Sequence, residues 1–122
     1  QQMENRTLTL DNVKQILGTM VTNKKRLTTL KKIAMSVAEF YNITTEDLLK
    51  QSRKKEFVGP RQIAMYLARK EIGSSFPTIG DFFGGRDHTT VMHGVEKIEN
   101  NLKNNDPLKQ EIDSILGKLY VL

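Results

Sequence analysis

The sequence contains no cysteine, which removes disulfides, thiolate metal ligands and thiol nucleophiles together. No apolar run approaches the roughly 18 residues that a membrane span needs, and the N-terminus lacks the apolar core of a signal peptide. A cytoplasmic protein that requires no membrane is the expectation. No stretch combines apolar–polar alternation with β-branched enrichment, so no strand is expected. Neither a GxxxxGK[ST] loop nor a GxGxxG fingerprint occurs, so a nucleotide finds no local phosphate cradle. There are only two histidines, His88 and His93. On a helix they would stand about 140° apart, so as metal ligands they diverge, and neither makes a facing base for a threonine nucleophile. Catalysis within this chain is not expected.

What is present is an ordinary globular composition: 122 residues, 38% hydrophobic and 27% charged. That length suits one compact domain, or one domain with an arm. The net charge of +5 is unevenly placed, since seven basic residues between Lys50 and Lys70 face a single acid, Glu56. A second basic knot, Lys24-Lys25-Arg26 with Lys31-Lys32, contains no acid at all. Charge gathered this way predicts an electropositive surface for a polyanionic partner. It is equally compatible with a solvated helix face.

Helical periodicity dominates. Asp11 caps an amphipathic stretch in which Val13, Ile16, Leu17 and Met20 recur, and the polar residues 22–27 read as a linker. A second helix runs from Thr28 or Thr29 to about Tyr41 and buries Leu30, Ile33, Ala34, Val37 and Phe40 or Tyr41. Thr44 precedes a short helix through Leu49, with acids in its first turn. Residues 51–59 read as an exposed basic loop, and Pro60 as the first turn of a helix ending at Gly73. Pro77 starts a short helix through Phe82 and Phe83, stopped by Gly84-Gly85. Asp87 caps a helix over 88–104, and Asp106-Pro107 opens the last one. The fold class is therefore all-α, with about six helices and an N-terminal linker helix. The division is a linker over 1–27 and a domain over 28–122.

The segment Phe76–His93 combines a short helix, a glycine turn and a longer helix, the pattern of a helix-turn-helix. The second helix of such a motif lays its N-terminal residues against base edges in the major groove. Val91, Val95, Ile98 and Leu102 form its buried stripe. Thr89, His93 and Asn100 lie nearly opposite, with Thr90 and Lys97 to one side. Threonine hydroxyls and methyls, an aspartate acceptor and a neutral histidine all suit groove reading. Each has a plainer role as well. Asp87 is placed to accept a capping bond from the Thr89 or Thr90 N–H, and Thr89, Thr90 and His93 can be ordinary surface residues. Arg86 is expected to pair with Asp81 or Asp87, and Phe82 and Phe83 to fill the core.

Three motifs then carry a resemblance. Gly84-Gly-Arg-Asp-His-Thr-Thr-Val91 followed by His93, Gly59-Pro-Arg-Gln-Ile-Ala-Met-Tyr-Leu67 and Phe76-Pro-Thr-Ile-Gly80 resemble, in order and spacing, the C-terminal domain of the DnaA family of bacterial replication initiators. The similarity runs from about Thr29 to Leu119, and residues 8–22 resemble the helix that closes the family's preceding ATPase domain. The resemblance implies a Trp-repressor-like helix-turn-helix that binds double-stranded DNA at origin boxes close to TTATNCACA. It implies base contacts from Asp87, His88, Thr89 and Thr90 in the major groove, and from Arg53 in the minor groove. Arg61, Gln62 and Arg69 would hold phosphate. Ser75, Phe76, Pro77, His93 and Lys97 would flank the contact. No cofactor is implied for this chain; ATP binding and self-association on DNA would belong to other parts of a full-length member. Gly94 stands where alanine is usual, at an intrinsic cost of about 0.5–1 kcal/mol. Two other classes remain beside this reading: a non-specific nucleic-acid-binding or RNA-binding domain, and a protein-interaction module with a basic face.

Overall fold

A computed structural model describes residues 27–120. Among these, six helices and no strand follow one another: α1 (Leu30–Phe40), α2 (Thr45–Leu49), α3 (Lys55–Ile72), α4 (Phe76–Phe82), α5 (His88–Leu102) and α6 (Asp106–Leu119). The all-helical expectation holds. The linker helix expected near Asp11–Met20 and the knot at Lys24–Arg26 lie outside the described residues, so the division at 27/28 remains an expectation.

Local chemistry sets most of the helix starts. Thr29, Thr44, Ser75 and Asn105 each accept a bond from the backbone N–H three residues on, at 3.2, 2.9, 3.2 and 3.0 Å. Such a bond satisfies one of the orphan donors of a first helical turn. For α6 the cap is thus Asn105, one residue earlier than expected. Asp106 instead sits in the first turn, where a negative charge meets the positive end of the helix dipole.

The largest departure concerns α3. It starts at Lys55, so most of the expected loop is helix and Pro60 lies inside it, buried. A proline in a helix removes one backbone bond, and it disfavours helical geometry in the residue before it through that residue's Cβ. Here that residue is Gly59, which has no Cβ, and nothing else crowds the position. The first turn is then closed by the Phe57 and Val58 N–H groups on the Lys54 carbonyl, at 3.0 and 3.1 Å. Buried Phe57 seats it on the domain.

Helix α3 is the hub, in contact with α1, α2, α4 and α5, while α6 packs on α1 and α5. Its buried face carries Ile63, Ala64, Leu67 and Ala68. Ala64 and Ala68, one turn apart and fully buried, keep that face slim enough for close helix approach. The rest of the core comes from Ile33, Ala34, Val37, Leu48, Ile79, Phe83, Val91, Val95, Ile98, Ile112 and Ile115. Leu30, Phe40 and Tyr41 are only half-buried at its margin. Tyr41 and Tyr120 donate to Glu111 and Glu71, both at 2.8 Å, and these bonds tie α6 to the rest.

Candidate nucleic-acid interface

Helices α4 and α5 are joined by a turn built on glycines. A Cβ at Gly80 would collide with the Arg86 carbonyl oxygen, while the Arg86 N–H donates to the Gly80 carbonyl at 2.8 Å. Gly84 and Gly85 have φ of 84° and 76°, left-handed conformations that disfavour any residue with a Cβ. A side chain at Gly84 would also stand 2.7 Å from the Leu49 carbonyl oxygen. The turn is therefore wedged between α4 and the end of α2.

Helix α5 presents two unlike faces. Val91, Gly94, Val95 and Ile98 are buried. A Cβ at Gly94 would lie 3.3 Å from Gln62 Cγ on α3. Facing out are Asp87, His88, Thr90, His93 and Lys97, with Thr89 half-buried among them. Asp87 occupies the N-cap position but makes no side-chain capping bond, contrary to the plainer role expected for it. Its carboxylate is turned outward, 66% exposed and 3.4 Å from His88 Nδ1. The first turn of α5 thus offers acceptors, hydroxyls and an imidazole to solvent, with its leading backbone N–H groups left for a ligand.

Beside this turn runs the segment 50–54, held from beneath. Arg61 donates through Nε to the Leu48 carbonyl at 2.8 Å, through Nη1 to that of Ser52 at 2.8 Å and through Nη2 to that of Lys50 at 2.9 Å. The residue is 3% exposed, and its donor fork is used on three carbonyls inside the fold. Burial, with Arg86 close by, pushes the Arg61 guanidinium down to about 10. The pairing expected of Arg86 is corrected, for its Nη2 donates to the Lys50 carbonyl at 3.0 Å rather than to Asp81 or Asp87. Burial likewise lowers the Arg86 guanidinium, and its Nε is buried without a partner. From the loop side, Gln51 Nε2 donates to the Gly84 carbonyl at 2.6 Å. Sequence patterns missed Gln51 and misplaced Arg86 because backbone carbonyls, the acceptors of both, are invisible in side-chain types.

Some of the residues thought to touch DNA share one cleft. Arg53, Gln62 and Thr90 line a cleft of about 100 Å³ between the loop, α3 and α5, with Arg61 and Arg86 in its wall. Arg53, Lys54 and Lys55 are exposed, and no ion pair among the described residues involves them. Lys50 and Lys70 are instead drawn to Asp47 and Glu99, at 2.9 and 2.7 Å. Arg69 donates to the Ser74 carbonyl at 3.1 Å and lies over the Phe76 ring, 4.6 Å from its centroid. That contact joins the end of α3 to the start of α4, where Ser75 and Pro77 are exposed and Phe76 is half-buried. Phe83 is fully buried, with half-buried Phe82 packed edge-on against it at 5.3 Å. Among the described residues no group of His, Asp and Glu is arranged to hold a metal ion, and no helix is long and apolar enough to cross a membrane.

The chain is similar to known proteins over this region and beyond it. A family model described as the bacterial DnaA protein helix-turn-helix matches residues 30–98. The chain is 41% identical over 114 residues to the chromosomal replication initiator protein DnaA of Oenococcus oeni, covering 93% of this chain and 25% of that protein. It is 52% identical over 87 residues to the one from Limosilactobacillus reuteri, covering 71% of this chain and 20% of that one. With the one from Lactococcus lactis subsp. cremoris it shares 50% over 90 residues. A crystal structure of a DNA replication initiation factor superposes with a TM-score of 0.64 at 26% identity, over 90% of this chain and 32% of that one. The chain spans about a fifth to a quarter of the length of the curated relatives it matches.

Proposed function

The chain belongs to the bacterial DnaA helix-turn-helix family, and from that premise we propose that it is the module by which a replication initiator recognises double-stranded origin boxes. One observation carries the reading. The exposed first turn of α5, with Asp87 free of any capping bond, lies on the same side as the basic loop, with Arg53 and Thr90 lining one cleft. A helix N-terminus rich in short polar groups fits the major groove, and an arginine one segment away fits an adjacent minor groove narrowed by A/T pairs.

The roles follow the chemistry of each group. Asp87 accepts from a cytosine amino group, His88 offers one donor or acceptor, and Thr89 and Thr90 meet base edges and thymine methyls. His93 and Lys97, further along the exposed face, border the groove at phosphate. Gln62, Arg69, Ser75, Phe76 and Pro77 flank the contact. The module binds and does not catalyse. ATP, implied for full-length members, would be held by a part outside this chain, as would the surfaces for self-association on DNA. Residues 1–27 would be the connection to that part. The working compartment is the cytoplasm, on the chromosome.

The test is affinity for a box duplex against a scrambled duplex at two salt concentrations. Specific reading predicts a tighter Kd for the box, with each wrong base pair costing about 1–3 kcal/mol. Thr89→Ala is expected to lose discrimination while keeping non-specific affinity. Equal affinities of the unaltered protein for both duplexes, with equal salt slopes, would sink the reading. A Thr89→Ala protein that still discriminates fully would place recognition elsewhere.

A further inference from the structure

We infer that Arg86 and Gln51 are positioning residues that lock the Arg53 loop to the start of α5, so that the two grooves are read at one fixed spacing. This rests on the two-groove reading proposed above and adds a coupling element to it. The locking is mutual. Arg86, on the turn, donates to the Lys50 carbonyl in the loop at 3.0 Å, and Gln51, in the loop, donates to the Gly84 carbonyl on the turn at 2.6 Å. The Lys50 carbonyl also accepts from Arg61 at 2.9 Å and from the Ser52 N–H at 2.9 Å. One loop oxygen is thereby held from α3, from the turn and from its own segment.

The turn end of the clamp is equally fixed. The Arg86 N–H is bonded to Gly80, whose missing side chain lets α4 press on the Arg86 carbonyl. The next residue, Asp87, is the N-cap of α5. Only Ser52 separates Gln51 from Arg53, and Arg86 and Asp87 are adjacent, so little chain is left to flex between either reader and the clamp. Arg61 is buried and Arg86 half-buried; both donate to carbonyls, and among the described residues no carboxylate is bonded to either. A neutral donor would make a bond there at lower desolvation cost. What the guanidinium adds at Arg86 is reach.

The experiment titrates the protein and its Arg53→Ala, Gln51→Ala, Arg86→Gln and Arg86→Lys variants on three duplexes. One is the box, one has a changed pair under α5, and one has G·C in place of the A·T pairs under the loop. Folding is checked by thermal melts. Gln51→Ala and Arg86→Gln are expected to lose most of the A·T preference that Arg53→Ala loses, roughly tenfold, the order of a single mismatch. They should keep their discrimination under α5, and Arg86→Lys should restore part of the preference. Gln51 is exposed, so its variant remains informative where an Arg86 variant melts. Folded Gln51→Ala with an intact A·T preference, beside an Arg53→Ala that has lost it, overturns the clamp alone. Arg53→Ala that keeps the preference overturns the minor-groove reading, and the clamp with it.

Discussion

At the scale of single residues, the most consequential side chain is Arg61. By type and position it invites reading as a phosphate contact, and its burial under the loop shows why a basic residue in a basic segment need not face the polyanion. Its three bonds end on the carbonyls of Leu48, Lys50 and Ser52. Arg61→Ala would take this donor from the Leu48 and Ser52 carbonyls, while that of Lys50 keeps Arg86 and the Ser52 N–H, at a cost of about 2–3 kcal/mol. Urea unfolding should show that loss, with Arg61→Lys recovering part of it through one ammonium in place of the fork. A stability unchanged in Arg61→Ala, with DNA affinity reduced, would favour the phosphate role. Gly94 carries the same lesson in miniature, since its cost to helix propensity coincides with Gln62 lying against it.

At the scale of elements, the helix-turn-helix depends on how closely α4 approaches the turn at Gly80. Gly80→Ala would push a methyl into the Arg86 carbonyl, and neither backbone can yield without moving α5 or breaking the Arg86–Gly80 bond. Overpacking of this kind costs about 1–3 kcal/mol. The variant should melt earlier and lose box discrimination together, and an unchanged melting temperature would show that the turn relaxes freely. Most elements were legible in the sequence, because apolar spacing and Thr or Ser caps act locally. The start of α3 was not. Proline ordinarily marks a first turn, and here it lies inside the helix, with Gly59 before it and Phe57 in a buried seat. The exposed face of α5 was legible from its periodicity, whereas the loop's support was not. Arg86 and Gln51 bond to carbonyls about 33–36 residues away in the chain, and no side-chain pattern announces such acceptors.

At the scale of the whole molecule, the net charge of +5 overstates some cations and understates others. Lys50 and Lys70 are held by Asp47 and Glu99, and Arg61 is buried. Arg53, Lys54 and Lys55, exposed and in no ion pair among the described residues, sit together at the loop and the first turn of α3. If grip on the phosphate backbone comes from where charge is free rather than from how much there is, these lysines and Lys70 must behave differently. Each phosphate neutralised contributes a slope of about −0.9 in log K against log salt. Lys54→Ala and Lys55→Ala should therefore each flatten the slope for box and scrambled duplex alike, by about one. Lys70→Ala should leave the slope unchanged, since its ammonium is already matched by a carboxylate at 2.7 Å. Discrimination between the duplexes should survive in all three variants, because none of these lysines lies on the exposed first turn of α5. A Lys70→Ala slope that falls as far as that of Lys54→Ala would mean that total charge, not its placement, sets the grip.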